Sequence, residues 1–369
     1  MNKPLQMPMF KPETEWVPPV SLPDLKEYKE IAIDLETRDP NLMTMGSGSV
    51  RGDGEVIGIA IAVEGWSGYF PINHEGGGNM DRALTLDWFE EVLHTPATKI
   101  FHNAMYDVSW IRSLGFQING GIVDTLIAAS LINENRWGYS LNALGKEYVG
   151  MGKNEKILNE AAKDWGVDPK SEMWRLPAPL VGEYAEQDAI VTLKLWHALQ
   201  HEISKQDLWD VFNMETNLFP CLVDMKFKGV RVDINKAEAL KKQLTVTEKD
   251  MHRDIKKLAG FDVEIWAAAS IAKAFDKEKI PYDRTEKGAP SFTKNFLATH
   301  PAELPKLINE AREINKANTT FIETILKHEH NGRIHADINQ IRSDQGGTVT
   351  GRFSYSNPNL QQIPARHKE

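Results

Sequence analysis

At 369 residues, 41% hydrophobic and 26% charged, the chain has room for two domains and an appendage with ordinary globular cores, which excludes a disordered polymer. One cysteine, Cys221, excludes an internal disulfide and a cysteine-based zinc site, and fits a reducing compartment. The formal charge of -9 argues against a generic basic nucleic-acid binder, and no apolar run approaches the roughly 20 residues of a membrane span, so no membrane role is expected and the cytoplasm is the expected location.

Residues 1–25 are rich in Pro, Met and Lys without periodicity and read as an N-terminal arm. Ile31–Glu36, Val56–Val63 and Gly68–Ile72 are strand-like, separated by polar, Gly-rich loops. Lys99–His102 reads as a short buried strand feeding a helix over Ala104–Leu114, and Asp124 is placed to cap a helix over Thr125–Leu131. Further helices are expected over Leu141–Tyr148, Glu155–Lys163 and Leu180–Glu202. Strands first, then strand and helix in alternation, imply a mixed sheet with helices packed on it. From Leu208 to Met225 the apolar positions make a helical stripe ended by Gly229. Asp233 can cap a long charged helix with Leu240, Leu244, Met251, Ile255 and Leu258 on one face, and a tight turn would make the two helices a projecting hairpin.

Charge is unevenly placed along these elements. Lys226–Arg333 holds 21 Lys and Arg against 16 Asp and Glu, which leaves the remainder at -14. The acidic part can face phosphates only if bound cations invert the local field, whereas the basic part can track a backbone directly or simply be a solvated helical surface.

Three short patterns carry chemistry. Asp34 and Glu36 are two apart in a strand whose Ile31, Ile33 and Leu35 are aliphatic, so period two puts both carboxylates on one face. Adjacent anions repel unless a hard cation such as Mg²⁺ or Mn²⁺ sits between them, although a solvent-facing strand would show the same pattern. Asn103 and Asp107 are four apart and share the first face of a helix, which Asn103 could equally well cap. Tyr184 and Asp188 repeat the spacing on a helix whose other face carries Ile190, Val191, Leu193 and Leu195.

As an ordered set, Asp34-x-Glu36, Asn103-x3-Asp107 and Tyr184-x3-Asp188 resemble the three exonuclease motifs of the proofreading domain in family A DNA polymerases, over about residues 30–195. The resemblance implies a ribonuclease H-like α/β fold of the DEDD superfamily, with a mainly helical thumb-like region after it. It also implies 3′ to 5′ removal of nucleotides from DNA with two divalent metal ions, Mg²⁺ or Mn²⁺. Tyr184, four before Asp188, resembles the tyrosine branch. Carried over, Asp34 bridges both metals, Glu36 and Asp188 complete the first site, Asp107 holds the second through water, Tyr184 orients the attacking water and Asn103 contacts terminal nucleotides. Where many relatives carry a small or apolar run after the first motif, this chain has Arg38-Asp39-Pro40.

Downstream, Glu215-x2-Leu218-x-Pro220, Met225-x3-Gly229 and Arg312-x3-Lys316-x2-Thr319 resemble thumb elements, with Arg312 and Lys316 implied on duplex phosphates. Thr348–Pro364 resembles the lead into the palm, where Arg352, Asn359 and Gln361 would contact primer and template. The expected organisation is therefore 1–25 arm, 26–205 exonuclease, 206–333 thumb-like region and 334–369 the start of a palm, frayed or paired with another protein. No polymerising motif is visible, so the expectation is the front part of a phage-type polymerase, truncated or naturally split, whose palm and fingers sit on a second chain. Two alternatives stand beside it: a non-catalytic DNA-holding half of a split polymerase, and a stand-alone RNA exonuclease, which would have no use for Thr348–Pro364.

Overall fold

The computed structural model describes residues 14–152, 154–344 and 346–364. The chain forms two compact units, one built from the chain up to Gly229 together with His335–Gln362, the other from Val230–Ile334. No described helix is long and apolar enough to cross a membrane.

The first unit is α/β and ribonuclease H-like. Its strands β1 (Glu30–Arg38), β2 (Glu55–Val63), β3 (Trp66–Pro71), β4 (Thr98–Phe101) and β5 (Ile122–Asp124) form one mixed sheet in the order β3-β2-β1-β4-β5. β1 runs antiparallel to β2 and parallel to β4, so the central strand joins a meander to a parallel edge. Nine residues of β1 alternate strictly. Ile31, Ile33 and Leu35 are buried in one apolar cluster with Phe89, Val92 and Trp110, while Ala32 enters the other with Ala185, Ala189 and Leu195. Only the small Ala32 packs on that second face before Asp34 and Glu36, so helices approach the strand closely.

The helices are α1 (Leu42–Met45), α2 (Arg82–His94), α3 (Ala104–Ser113), α4 (Thr125–Ile132), α5 (Leu141–Leu144), α6 (Lys156–Trp165), α7 (Gly182–Lys205) and α8 (Trp209–Lys228). Helix α2 is not among those expected from sequence, although Asp81 accepts a hydrogen bond from Leu84 N–H and Thr85, Phe89, Val92 and Leu93 are buried at helical spacing. After α5 the chain continues in wider, π-type turns over Gly145–Val149, so the expected helix over Leu141–Tyr148 is present in two geometries. On α8 the buried set is Phe212, Phe219, Leu222, Val223 and Lys226, whereas Met225 of the expected stripe is exposed. Lys226 buries its ammonium on Asp337 at 2.9 Å, and Asp337 accepts a further bond from Asn357, which ties strands β11 (Asp337–Asn339) and β12 (Ser354–Ser356) into this unit.

The second unit is mainly helical: α9 (Ile234–Ala259), α10 (Ala268–Lys277), α11 (Lys294–Thr299), α12 (Glu303–Lys316) and α13 (Glu323–His328). Ile255, Ile271, Phe275, Leu297, Leu304 and Ile308 form its core. Short strands β6 (Val230–Arg231), β9 (Glu329–His330) and β10 (Arg333–Ile334) pair in the order β6-β10-β9, and β7 (Asp283–Arg284) pairs with β8 (Pro290–Ser291). The connection between α8 and α9 is therefore not a bare tight turn, because β6 is held by pairing with residues a hundred positions later.

His74 is a buried part of the first unit that titrates. Its Nε2 accepts from the Tyr69 hydroxyl at 2.6 Å and its Nδ1–H donates to Leu176 O at 3.0 Å, which fixes the neutral tautomer. Burial lowers its pKa to about 4. An unfolded chain takes up this proton near pH 6.5 and the folded one only near 4, so stability is lost as pH falls through that window, by about 3 kcal/mol in full. In urea unfolding, His74→Gln is expected to lack this step; parallel decline of variant and wild type between pH 6.5 and 4 would assign it elsewhere.

Candidate active site

Four elements surround the carboxylates of β1: β2 and β3 beside it in the sheet, α7 packed on β1 and β2, and α3, whose Asp107 bonds the Leu35 backbone. Glu36 pairs across the sheet with Gly58, and Asp34 with Ala60, which in turn pairs with Tyr69 on β3. Gly58 has to be glycine, since a Cβ there would lie 2.0 Å from the Tyr69 hydroxyl. Tyr69 itself is fully buried, and burial first, then the charges of Glu36 and Asp34, push its pKa well up, so it remains a neutral hydroxyl. Tyr69 sits outside the three motifs, and the sequence signal for it is its place on β3 opposite Ala60.

Asp107 arrives from the first turn of α3. It is 4% exposed, and its Oδ1 accepts the backbone N–H of Leu35 at 2.9 Å, the peptide between the two carboxylate-bearing residues of β1. Burial first, then the charge of Asp34, raises its pKa well above the ordinary range, while the Leu35 hydrogen bond opposes that. The helix start is set by Asp124 rather than by Asn103. Asp124 accepts from Asn103 N–H at 2.9 Å, Ala104 N–H at 2.8 Å and Leu126 N–H at 2.8 Å, and so caps α3 and α4 together. Burial still carries its pKa up to about 6. Asn103 stands in the left-handed region at φ 67° and its side chain makes no capping bond, so the alternative of Asn103 as helix cap does not hold.

Tyr184 and Asp188 come from the first turns of α7, and Asp188 is 3% exposed. Burial, then the charges of Asp188, Glu36 and Asp34 in that order, together with a side-chain hydrogen bond to Asp188, push the Tyr184 pKa well up. Tyr184 is therefore a neutral hydroxyl at any ordinary pH, suited to orienting a water and not to removing its proton. The N-terminal end of α7 is pinned by a residue that belongs to none of the three motifs. The Trp16 indole N–H donates to Glu186 at 2.7 Å and its ring lies where a side chain on Gly182 would have to go, while the same Glu186 oxygen accepts from Tyr69 N–H at 3.2 Å.

Asp34, Glu36, Asp107, Tyr184 and Asp188 are thus brought into one another's field. Among the described residues, no three His, Cys, Asp or Glu side chains stand at spacing fit to hold a metal ion. The donor chemistry nevertheless fits a hard divalent cation: four carboxylates, two of them buried, with mutual repulsion already raising Asp107. Of the residues expected on DNA, Asn103 stands at the start of α3, the helix that carries Asp107. Arg312, in the second unit, spends its guanidinium on Ile265 O at 2.6 Å and Phe292 O at 2.9 Å and lies over the Trp266 ring, whereas Lys316 is exposed. Arg352, Asn359 and Gln361 are exposed, and the Gln361 amide folds back on Phe353 O at 2.9 Å.

Comparison with known proteins gives two family matches: 3′-5′ exonuclease over residues 21–204 and DNA polymerase family A over residues 234–369. A DNA-directed DNA polymerase of Pseudomonas phage M6 is 35% identical over 98% of this chain and 57% of its own length. DNA polymerase I of Pseudomonas aeruginosa is 28% identical over 94% of this chain and 38% of its own. The chain thus spans a little over half the length of the phage relative. The polymerase domain of Pol1 from M. smegmatis, solved with DNA primer-template and dNTP, superposes with a TM-score of 0.70 at 18% identity, over 93% of this chain and 54% of that one, a likeness of fold.

The repulsion at Asp107 makes a prediction about stability. Asp107→Asn keeps an acceptor for Leu35 N–H and removes the buried charge, so without divalent cations at pH 8 its melting temperature is expected to exceed that of the wild type by about 2–4 °C, for roughly 1 kcal/mol. Mg²⁺ is expected to raise the wild type more than the variant. A lower melting temperature for the variant in EDTA would show that the charge is already compensated within the protein.

Proposed function

The chain belongs to DNA polymerase family A and carries that family's 3′-5′ exonuclease domain, and from that premise we propose that it proofreads DNA by hydrolysing the terminal phosphodiester at a 3′ end with two divalent cations, Mg²⁺ or Mn²⁺. The observation that supports this most is the Leu35 N–H to Asp107 bond, which fixes a carboxylate of α3 against the strand that carries Asp34 and Glu36. On this reading Asp34, Glu36 and Asp188 would hold one cation, and Asp34, with Asp107 through water, would hold the other. Such ions, when bound, lower the pKa of the attacking water and offset charge on the attacking and leaving oxygens.

The protein's own groups do the rest. Tyr184, kept neutral by its surroundings, accepts or donates a hydrogen bond to the attacking water as in the tyrosine branch of the DEDD enzymes. Asn103, with its side chain outside the helix cap, is assigned to the terminal nucleotides. The expected domain organisation stands as part of the proposal, with the helical unit holding duplex DNA in the manner of a thumb. There Lys316 is the better phosphate ligand, because Arg312 is committed to backbone carbonyls. Arg352, Asn359 and Gln361 are assigned to primer and template, and the protein partner to a segment bearing palm and fingers.

The test uses a 3′-mismatched primer-template labelled at its 5′ end. A Mg²⁺-dependent ladder that disappears in EDTA is expected for the wild type, and Asp34→Ala is expected to slow it at least about a hundredfold. Equal laddering by Asp34→Ala would remove Asp34 from the reaction and the proposal with it.

A further inference from the structure

The turn of α7 that carries Tyr184 has little in its own sequence to hold it. Its N-cap, Val181, makes no side-chain hydrogen bond, and its first helical position is Gly182, a poor helix former. Beneath this end of the helix lies a layer of small side chains, Ala32 and Ala60 of the sheet with Ala185 and Ala189 of α7. Such a layer lets the helix come close, and it offers no large knobs to fix the roll of the helix about its axis. Something else has to set the direction in which Tyr184 and Asp188 point.

Residues ahead of the sheet supply it. Trp16 lies before residues 21–204, which match the exonuclease family, and its indole covers Gly182 so closely that no Cβ fits between them. The indole stands 6.0 Å from the Tyr69 ring and donates its N–H to Glu186 Oε1 at 2.7 Å. Glu186 also accepts Tyr69 N–H at 3.2 Å and the Ser67 hydroxyl at 3.4 Å, both from β3, an edge strand of the sheet. From there the segment crosses β3, with Pro19 beside Gly68, and reaches α2, where the Trp88 indole N–H donates to Pro23 O at 2.8 Å. Tyr184 and Asp188 stand two residues either side of Glu186, so each lies about 160° around the helix from it. Anchoring Glu186 to β3 on one flank of α7 therefore turns Tyr184 and Asp188 to the other, where the charges of Asp34 and Glu36 act on Tyr184.

We propose, resting on the exonuclease reading above, that Trp16 is a positioning residue for the reaction: it keeps the first turn of α7 wound and holds Glu186 so that Tyr184 and Asp188 face Asp34 and Glu36. Nuclease activity then depends on a segment that carries none of the reacting groups. Trp16 itself touches neither the DNA nor a cation.

The experiment measures kcat and KM on single-stranded DNA, the Mg²⁺ concentration for half-maximal rate, and amide hydrogen exchange of the protein without DNA. In Trp16→Ala, kcat is expected to fall about ten- to a hundredfold and the Mg²⁺ requirement to rise, with KM for DNA unchanged and exchange faster over residues 182–188 alone. Trp16→Phe keeps a ring over Gly182 and loses the N–H, so its kcat is expected between the two. Glu186→Gln keeps an acceptor oxygen for the indole and is expected to retain most of the wild-type kcat. A Trp16→Ala protein with wild-type kcat and Mg²⁺ requirement, or one whose exchange rises throughout the first unit in step with its loss of rate, overturns the positioning role. Unaltered exchange over residues 182–188 in Trp16→Ala overturns the hold on α7 by itself. A wild type without nuclease activity overturns the exonuclease reading, and the role of Trp16 in the reaction with it.

Discussion

A buried carboxylate fastened to the backbone of a strand that already bears two others is the constraint around which the first unit is arranged. Leu35 points its side chain into the core and its N–H at Asp107, so one residue anchors both the apolar layer and the charged one. That arrangement concentrates negative charge where solvent cannot dilute it, as the raised pKa of Asp107 records. Charge of this kind is kept at the expense of stability in a protein without its counter-ions, and sites of function are where such conflicts are tolerated. The neighbours are neutral by necessity. Tyr69 and Tyr184 stay protonated, His74 stays uncharged, and Ala32, Ala60 and Ala185 let the helix carrying Asp188 come close.

Much of this was legible in the sequence because it is local. Two carboxylates alternating with aliphatic residues specify a face, and the four-residue spacing puts Tyr184 and Asp188 together on α7, whereas Asn103 stands outside the helix that begins at Ala104. The mixed sheet followed from the change of periodicity and α9 from its charged, one-faced stretch after Asp233, whereas the mainly helical character of the second unit was an implication of the family resemblance. What escaped the reading depends on partners far apart in the chain. Asp124 was expected as the cap of one helix and caps two, since α3 begins twenty residues earlier and the sequence holds no sign that they meet. The sequence likewise holds no sign that β6, in the connection from α8 to α9, pairs with β10 a hundred residues later.

Arg312 illustrates a different limit. A basic residue on a helix at family-like spacing reads as a phosphate ligand, yet here two backbone carbonyls and an indole surround it. Sequence supplies the charge and not whether a neighbour has already claimed it. Trp16 and Lys226 make the same point from the apolar side. One pins the N-terminal end of the helix with Tyr184 and Asp188, and the other buries an ion pair that fastens a segment more than a hundred residues away. Neither belongs to a motif, and both hold motif-bearing elements in place.

The central claim is that Asp34, Glu36, Asp107 and Asp188 together make a divalent-cation site. Anomalous diffraction from crystals soaked in Mn²⁺ tests it most directly. The account predicts anomalous peaks within ligand distance of Asp34 and Glu36, lost in Asp34→Ala. Well-ordered crystals with Mn²⁺ bound elsewhere and no peak among these four carboxylates would contradict it.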